Sequence, residues 1–355
     1  CAWQGSSLGE AFMSGVVPLA QLTTMRVGGV PKEIVRCENS QQLYEEISNS
    51  IKNQEPFHVL AGGSNTVFAD ELSELKVIHI VSKGIDVLRE SDAEVVLRVQ
   101  AGEDWDEFVS WCIERGYAGI EAMSGIPGSV GATPVQNVGA YGQEVSQVIV
   151  ASEFFDYETL KSELKPARFF NFSYRDSALK HGVRGVIGFV DFRLKKLGGL
   201  SVAMASGQIT NHLNAEYGSQ LSLKTVRETV LTLRSQKGMV VSQDDPNSVS
   251  CGSFFTNPVV SHAKSLEFPK EMQMWNMDDG QVKLSAAWLI ENAGIEKGFS
   301  LPFSKAAISA KHTLAIINRG GATSTEILEL ARYVQERVAA RWGINLIPEP
   351  NLIGF

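Results

Sequence analysis

Between Gly116 and Gly142 the chain holds seven glycines in 27 residues, a density that no regular helix tolerates. Gly125, Gly128 and Gly131 recur every three residues, and Gly139 and Gly142 follow. Among them Gln136 and Asn137 offer amide donors and acceptors, and Tyr141 offers a flat face. Loops this long and this glycine-rich exist mostly where backbone has to approach a ligand closely. As structure alone, the stretch would be an irregular crossover.

A shorter stretch, "HVLAGGSNTVF" (58–68), repeats the signal. A strand runs into Gly62-Gly63-Ser64-Asn65, with Thr66 next. Missing Cβ atoms there let successive backbone N–H groups point at one spot and hold pyrophosphate oxygens without a cation. A plain turn between two strands is the alternative. Two such loops in one domain point to a large phosphorylated cofactor. Neither GxGxxG nor GxxxxGK[ST] occurs, so neither a Rossmann dinucleotide fold nor a P-loop is indicated.

The 355 residues suffice for two or three domains with cores of their own. A net charge of -8 speaks against nucleic acid or an anionic membrane as the main partner. No apolar run approaches the ~18 residues of a spanning helix, and no basic-then-apolar leader opens the chain. Cys1, Cys37, Cys112 and Cys251 form no CxxC pair and have no zinc-ligand spacing, so no metal is expected. A reduced, cytoplasmic, monomeric protein is the simplest expectation. A terminal Cys1 would also suit a processed lipoprotein, while the missing initiator Met suits a trimmed chain.

Residues 1–20 read as a tail. Strands are expected at 33–38, 57–62, 76–81, 94–102, 148–157, 186–194 and 313–318, from short β-branched runs. Helices are expected at 40–51 with Ser40 as N-cap, 104–116 ending at Gly116, 222–236, 283–293 and 323–343. In the last of these, Thr323 and Glu326 have capping-box spacing and Gly343 marks the end. The class is α+β: a ligand domain over 21–200, a boundary in "KKLGGLSVAMASG" (195–207), and a second α+β domain over 201–355.

Six segments carry a resemblance in this order: "TTMRVGG" (23–29), "AGGSNTVF" (61–68), "IPGSVGATPVQNVGAYG" (126–142), "YRDS" (174–177), "GSFFTNP" (252–258) and "PEPNLIG" (348–354). Together they resemble the longer subclass of the UDP-N-acetylenolpyruvoylglucosamine reductases. The resemblance implies an FAD-binding domain of the vanillyl-alcohol-oxidase/p-cresol-methylhydroxylase type, with two lobes, and a C-terminal substrate-binding domain whose last residues return to the active site. It also implies non-covalent FAD, NADPH as co-substrate and a UDP-sugar substrate. Neither glycine-rich loop holds a histidine to tether a flavin. The cofactor-binding positions are then Gly62, Gly63, Ser64, Asn65 and Thr66 in the first loop. In the second they are Gly128, Gly131, Ala132, Thr133, Gln136, Asn137, Gly139, Ala140, Tyr141 and Gly142.

The same resemblance gives three residues catalytic roles. Ser253 matches the proton donor; read alone, a buried serine after glycine is more often structural. Arg175 matches the catalytic arginine, whose rigid fork suits a carboxylate gaining enolate character; alone, it would be a salt bridge with Asp176. Glu349 matches the catalytic glutamate, reasonable beside a carboxylate if it shares a proton; otherwise it is a solvated charge. Lys237, Asn257 and His312 (or its neighbour Lys311) match positions around the substrate diphosphate. One position departs: "MASGQITNHL" (204–213) puts Ser206 where a tyrosine that covers the nucleotide is expected.

Overall fold

The computed structural model describes residues 16–277 and 279–355. Cys1 and most of the expected tail lie outside them, whereas Leu19–Gln21 form a 3-10 turn with Leu19 fully buried. The chain divides into two compact units, neither of them continuous. The larger takes Pro31–Gly63 and Ser73–Ser235; the second takes the chain up to Val30, Ser64–Leu72 and Gln236–Phe355.

The larger unit is built on an antiparallel sheet in the order Lys161–Pro166, Ile149–Asp156, Gly185–Lys196, Glu94–Gln100, Ile85–Glu90, with Tyr117–Ala118 on the end of Gly185–Lys196. Val95, Leu97 and Val99 alternate into its core and meet Trp105, Phe108 and Phe192. Trp105 and Phe108 come from the helix Trp105–Glu114, which Asp104 caps. The strand Ile85–Glu90 gave no sequence signal because it is an exposed edge with no apolar alternation. A smaller sheet joins Pro31–Cys37, Leu72–Ile80 and Phe57–Leu60, the last two parallel. The helix beside it, Ser40–Lys52, is capped by Asn39 and not by Ser40: Asn39 has extended backbone and its Oδ1 accepts from the Gln42 amide.

The second unit holds a three-stranded antiparallel sheet (Val259–Ser261, Gln281–Leu284, Met274–Asn276), a hairpin of Ala306–Ile308 with Ile316–Asn318, and the parallel pair Asn351–Ile353 and Thr66–Phe68. Its core centres on Phe254, Phe255, Leu289, Leu330 and Val334. Residues 283 and 284, expected as the start of the helix 283–293, belong to the strand Gln281–Leu284, which pairs on both sides; the helix is Ala286–Glu291, capped by Ser285. The long helix Ser324–Trp342 has the Thr323/Glu326 capping box and ends at Gly343 with φ 65°.

The units divide at 235/236, not near residue 200. The stretch expected as a boundary is the start of an excursion closed by the bridge between Leu200 and Ser222. The helix after it, Leu223–Gln236, belongs to the larger unit: Val226 and Val230 pack with Ala122, Met204 and Ile209, and Arg227 makes a forked ion pair to Asp106 at 2.6 and 2.9 Å. Residues 21–30, expected in the first domain, join the second unit, where Met25 and Val27 pack with Val67 and the Asn318 amide donates to the Met25 and Arg26 carbonyls.

Candidate active site

The two glycine-rich loops meet within the larger unit. A Cβ on Gly62 would lie 2.6 Å from the Gly128 Cα and 2.9 Å from the Ser129 nitrogen, so the first loop needs its glycine to accommodate the second. Gly131 is held as closely against Ala101. Ala132 ends a 3-10 turn and the Thr133 hydroxyl donates back to the Val130 carbonyl, an internal use. The Gly139–Ala140 strand pairs with Gln143–Glu144, and Gln136 is partly exposed beside it. Between Gly128 and Val130 the Ser129 hydroxyl is buried without a hydrogen-bond partner. Such an orphan asks for a group the protein does not supply. Nothing in the sequence singles out Ser129 among the glycines around it.

The "YRDS" turn is fastened to the second loop. Ser177 Oγ donates to the Val135 carbonyl at 2.7 Å, and Asn137 Nδ2 donates to the Ser173 carbonyl at 2.9 Å. Arg175 donates to the carbonyls of Asn137 and Gly139. Asp176 pairs with His181 at 2.6 Å. Arg175, Asn137 and Tyr141 all have left-handed backbone, with φ of 53°, 46° and 52°. Three non-glycine residues in that region within one cluster are a functional signature, because packing must hold each against its preference.

Near them lies Arg234, which the sequence gave no reason to single out. Burial pulls its guanidinium below the ordinary value, Tyr141 and Asp106 oppose the shift, and the charge of Arg175 adds to it. Tyr141 is shifted up by its own burial.

Ser253 and Glu349 are neighbours in the second unit. Phe255 bridges Pro348, the Glu349 amide donates to the Phe254 carbonyl at 2.9 Å, and Thr256 donates to Ile347. The C-terminal segment goes on to the end of the first glycine loop: Asn65 Nδ2 donates to the Glu349 carbonyl, the Asn351 amide donates to Asn65, and Asn351 pairs with Thr66. Ser64, Asn65, Ser253 and Glu349 are therefore held in one unit by backbone pairing. Burial pushes the Cys251 thiol up to about 12, with the charge of Glu349 adding to the effect.

Of the positions expected around the diphosphate, Lys237 and His312 come together. Burial, then the charges of Lys237 and Lys297, hold the His312 imidazole down at about 4. Lys311 pairs with Asp245 at 2.9 Å. Asn257 Oδ1 accepts from the Ala286 amide at a helix start, a structural use of that oxygen. Ser206 is 7% exposed and sits inside the excursion, whereas Tyr217, on the same excursion, is 72% exposed. If an aromatic ring covers a ligand from this segment, Tyr217 is the one free to do it.

Two family descriptions match: an FAD binding domain over residues 31–158, and the UDP-N-acetylenolpyruvoylglucosamine reductase C-terminal domain over 244–353. The reductase of that name from Leifsonia xyli subsp. xyli (strain CTCB07) is 42% identical, over 95% of this chain and 98% of its own length. The chain belongs to the UDP-N-acetylenolpyruvoylglucosamine reductase family. A second member, from Mycobacterium sp. (strain MCS), is 40% identical over 99% of both chains. The crystal structure of the enzyme from Thermus caldophilus covers 96% of this chain and 98% of its own, with a TM-score of 0.65 and 24% identity, a likeness of fold.

The α+β class, with an FAD binding domain and a C-terminal α+β domain, thus stands. The loops fit a flavin dinucleotide: they combine close backbone, the orphan Ser129 hydroxyl and the partly buried Tyr141 face. Among the described residues no helix is long and apolar enough to cross a membrane, and no His/Cys/Asp/Glu group could hold a metal ion.

Proposed function

We propose that this chain reduces UDP-N-acetylenolpyruvoylglucosamine to UDP-N-acetylmuramate with NADPH, a step of peptidoglycan precursor synthesis. The observation that carries the reading is 42% identity to a reductase of that name along nearly the whole of both chains. Bound FAD would relay hydride from NADPH to one carbon of the enolpyruvyl alkene. Gly62 to Thr66, and the 128–142 loop with Ser129, would hold its phosphates and ring system. Arg175 would lie against the substrate carboxylate, where negative charge grows as hydride arrives. Its fixed turn supports this role, since a pre-positioned cation needs no reorganisation during the step. Ser253 would hold the proton for the other alkene carbon at its Oγ, and Glu349, next to it, would orient that proton. Lys237, Lys311 or His312, and Asn257 through its amide nitrogen, would serve the diphosphate.

We further infer a cytoplasmic monomer without nucleic-acid or membrane partners, supported by the net charge of -8 and by the buried free thiols of Cys37, Cys112 and Cys251. The test is anaerobic. The purified protein should be yellow, acid precipitation should release all the colour, NADPH should bleach it, and the UDP-sugar should restore it with one lactyl ether formed per NADPH. A protein without flavin affinity, or one whose reduced flavin ignores the UDP-sugar, refutes the proposal.

A further inference from the structure

Glu121 is a carboxylate with no exposure at all, placed where the backbone is irregular. Leaving such a charge in the interior is costly unless both oxygens are satisfied. Here both are: one accepts from the Gly119 amide at 2.5 Å and the other from the Val202 amide at 2.9 Å. A carboxylate is the one side chain of this length that only accepts; a glutamine would turn an NH2 group toward one of the two donors. The acid is thus matched to two N–H groups from different parts of the chain.

Val202 lies at the root of the excursion 200–222. The two arms of that excursion are laced by Ser201 to Leu221, Met204 to Ser219 and Gly218 to Met204. Beyond the lacing, the short helix Gly207–His212 and the turn after it carry exposed groups, Tyr217 among them. The root also abuts the second glycine loop: a Cβ on Gly142 would lie 2.7 Å from the Ala205 carbonyl. Three residues back along that loop, the Gly139 carbonyl accepts from Arg175. Next to Glu121, the Ala122 amide donates to Gln143 Oε1 at 2.7 Å and so ties the same loop at the residue after Gly142.

We propose that Glu121 is a positioning residue: by gripping Val202 it fixes the root of the 200–222 excursion against Gly142, and so sets the loop that holds Arg175. This rests on the reading of Arg175 as the group that meets the sugar-nucleotide carboxylate. Glu121 touches no reactant and acts only through the backbone it holds.

The test uses the full-length flavoprotein and Glu121→Gln. Limited proteolysis without any substrate should cut within 207–218 about ten-fold faster, since cleavage follows the population of the opened segment. The KM for the UDP-sugar should rise about ten-fold, the effect of losing a hydrogen bond to a charged group. Flavin reduction by NADPH should change less than about two-fold. In a second background, with 207–218 replaced by a short Gly-Ser linker, Glu121→Gln should still raise the UDP-sugar KM, because Val202, Ala205 and Gly142 are all retained. Glu121→Asp, which still reaches one donor, should give a smaller split in the same direction and serves if the glutamine variant does not fold. Unaltered cleavage, equal change in both half-reactions, or loss of the KM effect in the shortened background overturns the proposal. Cleavage is read without substrate, so it decides the role of Glu121 even if the parent fails to turn over the UDP-sugar, an outcome that would sink the functional reading instead.

Discussion

A serine hydroxyl is a poor acid in water, and what distinguishes Ser253 is where its backbone is held. The segment that carries it is tied to that of Glu349 by the Phe255–Pro348 bridge and by the Glu349 amide donating to the Phe254 carbonyl, so Ser253→Ala should leave the fold intact while removing the proton. Reduction of the flavin by NADPH should keep its rate, and reoxidation by the enolpyruvyl substrate should slow by ~10²–10⁴-fold. Stopped-flow absorbance reads both, and equal slowing would make Ser253 structural. Ser206 calls for the opposite expectation from the one its alignment suggests. At 7% exposure it has no room for a ring, so Ser206→Tyr should lower stability by about 1–3 kcal/mol from overpacking and give no gain in substrate affinity. A tighter KM in that variant would show the segment to be open. Motif residues such as Arg175 and Ser253 were legible because their neighbours spell a family pattern. Ser129, Arg234 and Glu121 were not, because burial and partners, which define them, leave no trace in composition.

Among the elements, the helix Ser324–Trp342 shows what a local pattern can and cannot reveal. Its capping box was legible from Thr323 and Glu326. Its second cap was not, because Asp70 comes from 254 residues away: Oδ1 accepts from the Ser324 amide at 2.9 Å, and Oδ2 from the amide and hydroxyl of Thr325. Burial pushes the Asp70 carboxyl up, but the hydrogen bonds from Ser324 and Thr325 outweigh it and hold the group below its ordinary value. A depressed acid stabilises the fold above its unfolded value and loses that contribution as pH falls through the folded one. Asp70→Ala should therefore lower Tm at pH 7 and lower it less near pH 3. An equal loss at both values would assign the effect to packing. The strands and helices with clear periodicity were read within a few residues. The helix start at 283 was misread because a strand flanked by two partners and a helix turn look alike over four residues.

For the molecule as a whole, acid is the revealing stress. Burial holds His58, His79 and His312 at about 4 each; the Arg36 charge adds to it at His79 and the Lys237 and Lys297 charges at His312. An unfolded chain binds these protons near 6.5 and the folded one does not. Stability from these groups is therefore complete above pH 6.5 and drains away as pH falls from 6.5 toward 4, by up to about 1.4 kcal/mol per pH unit for each. The Tm-against-pH slope in that window should fall by about a third in His58→Gln. A slope unchanged by the variant would mean that His58 is protonated in the fold. The domain count and class were legible from the glycine loops and the alternation of strands and helices. The division at 235/236 was not, because the interactions that place Leu223–Gln236 in the larger unit, Arg227 with Asp106 among them, reach back across more than a hundred residues.

The parallel pairing of Thr66–Phe68 with Asn351–Ile353 has a consequence for how the protein is made. A ribosome releases the first of these strands long before its partner, so over that interval the early strand lacks the edge it pairs with. Val67 and Phe68, fully buried in the finished protein, stay exposed throughout that interval. The second unit can close only once Asn351–Ile353 has emerged, which makes the nascent chain a natural client for chaperones that shield apolar strands. A chain truncated before Asn351 would thus leave the early strand unpaired, with Arg175, Ser253 and Glu349 all present and the fold unfinished.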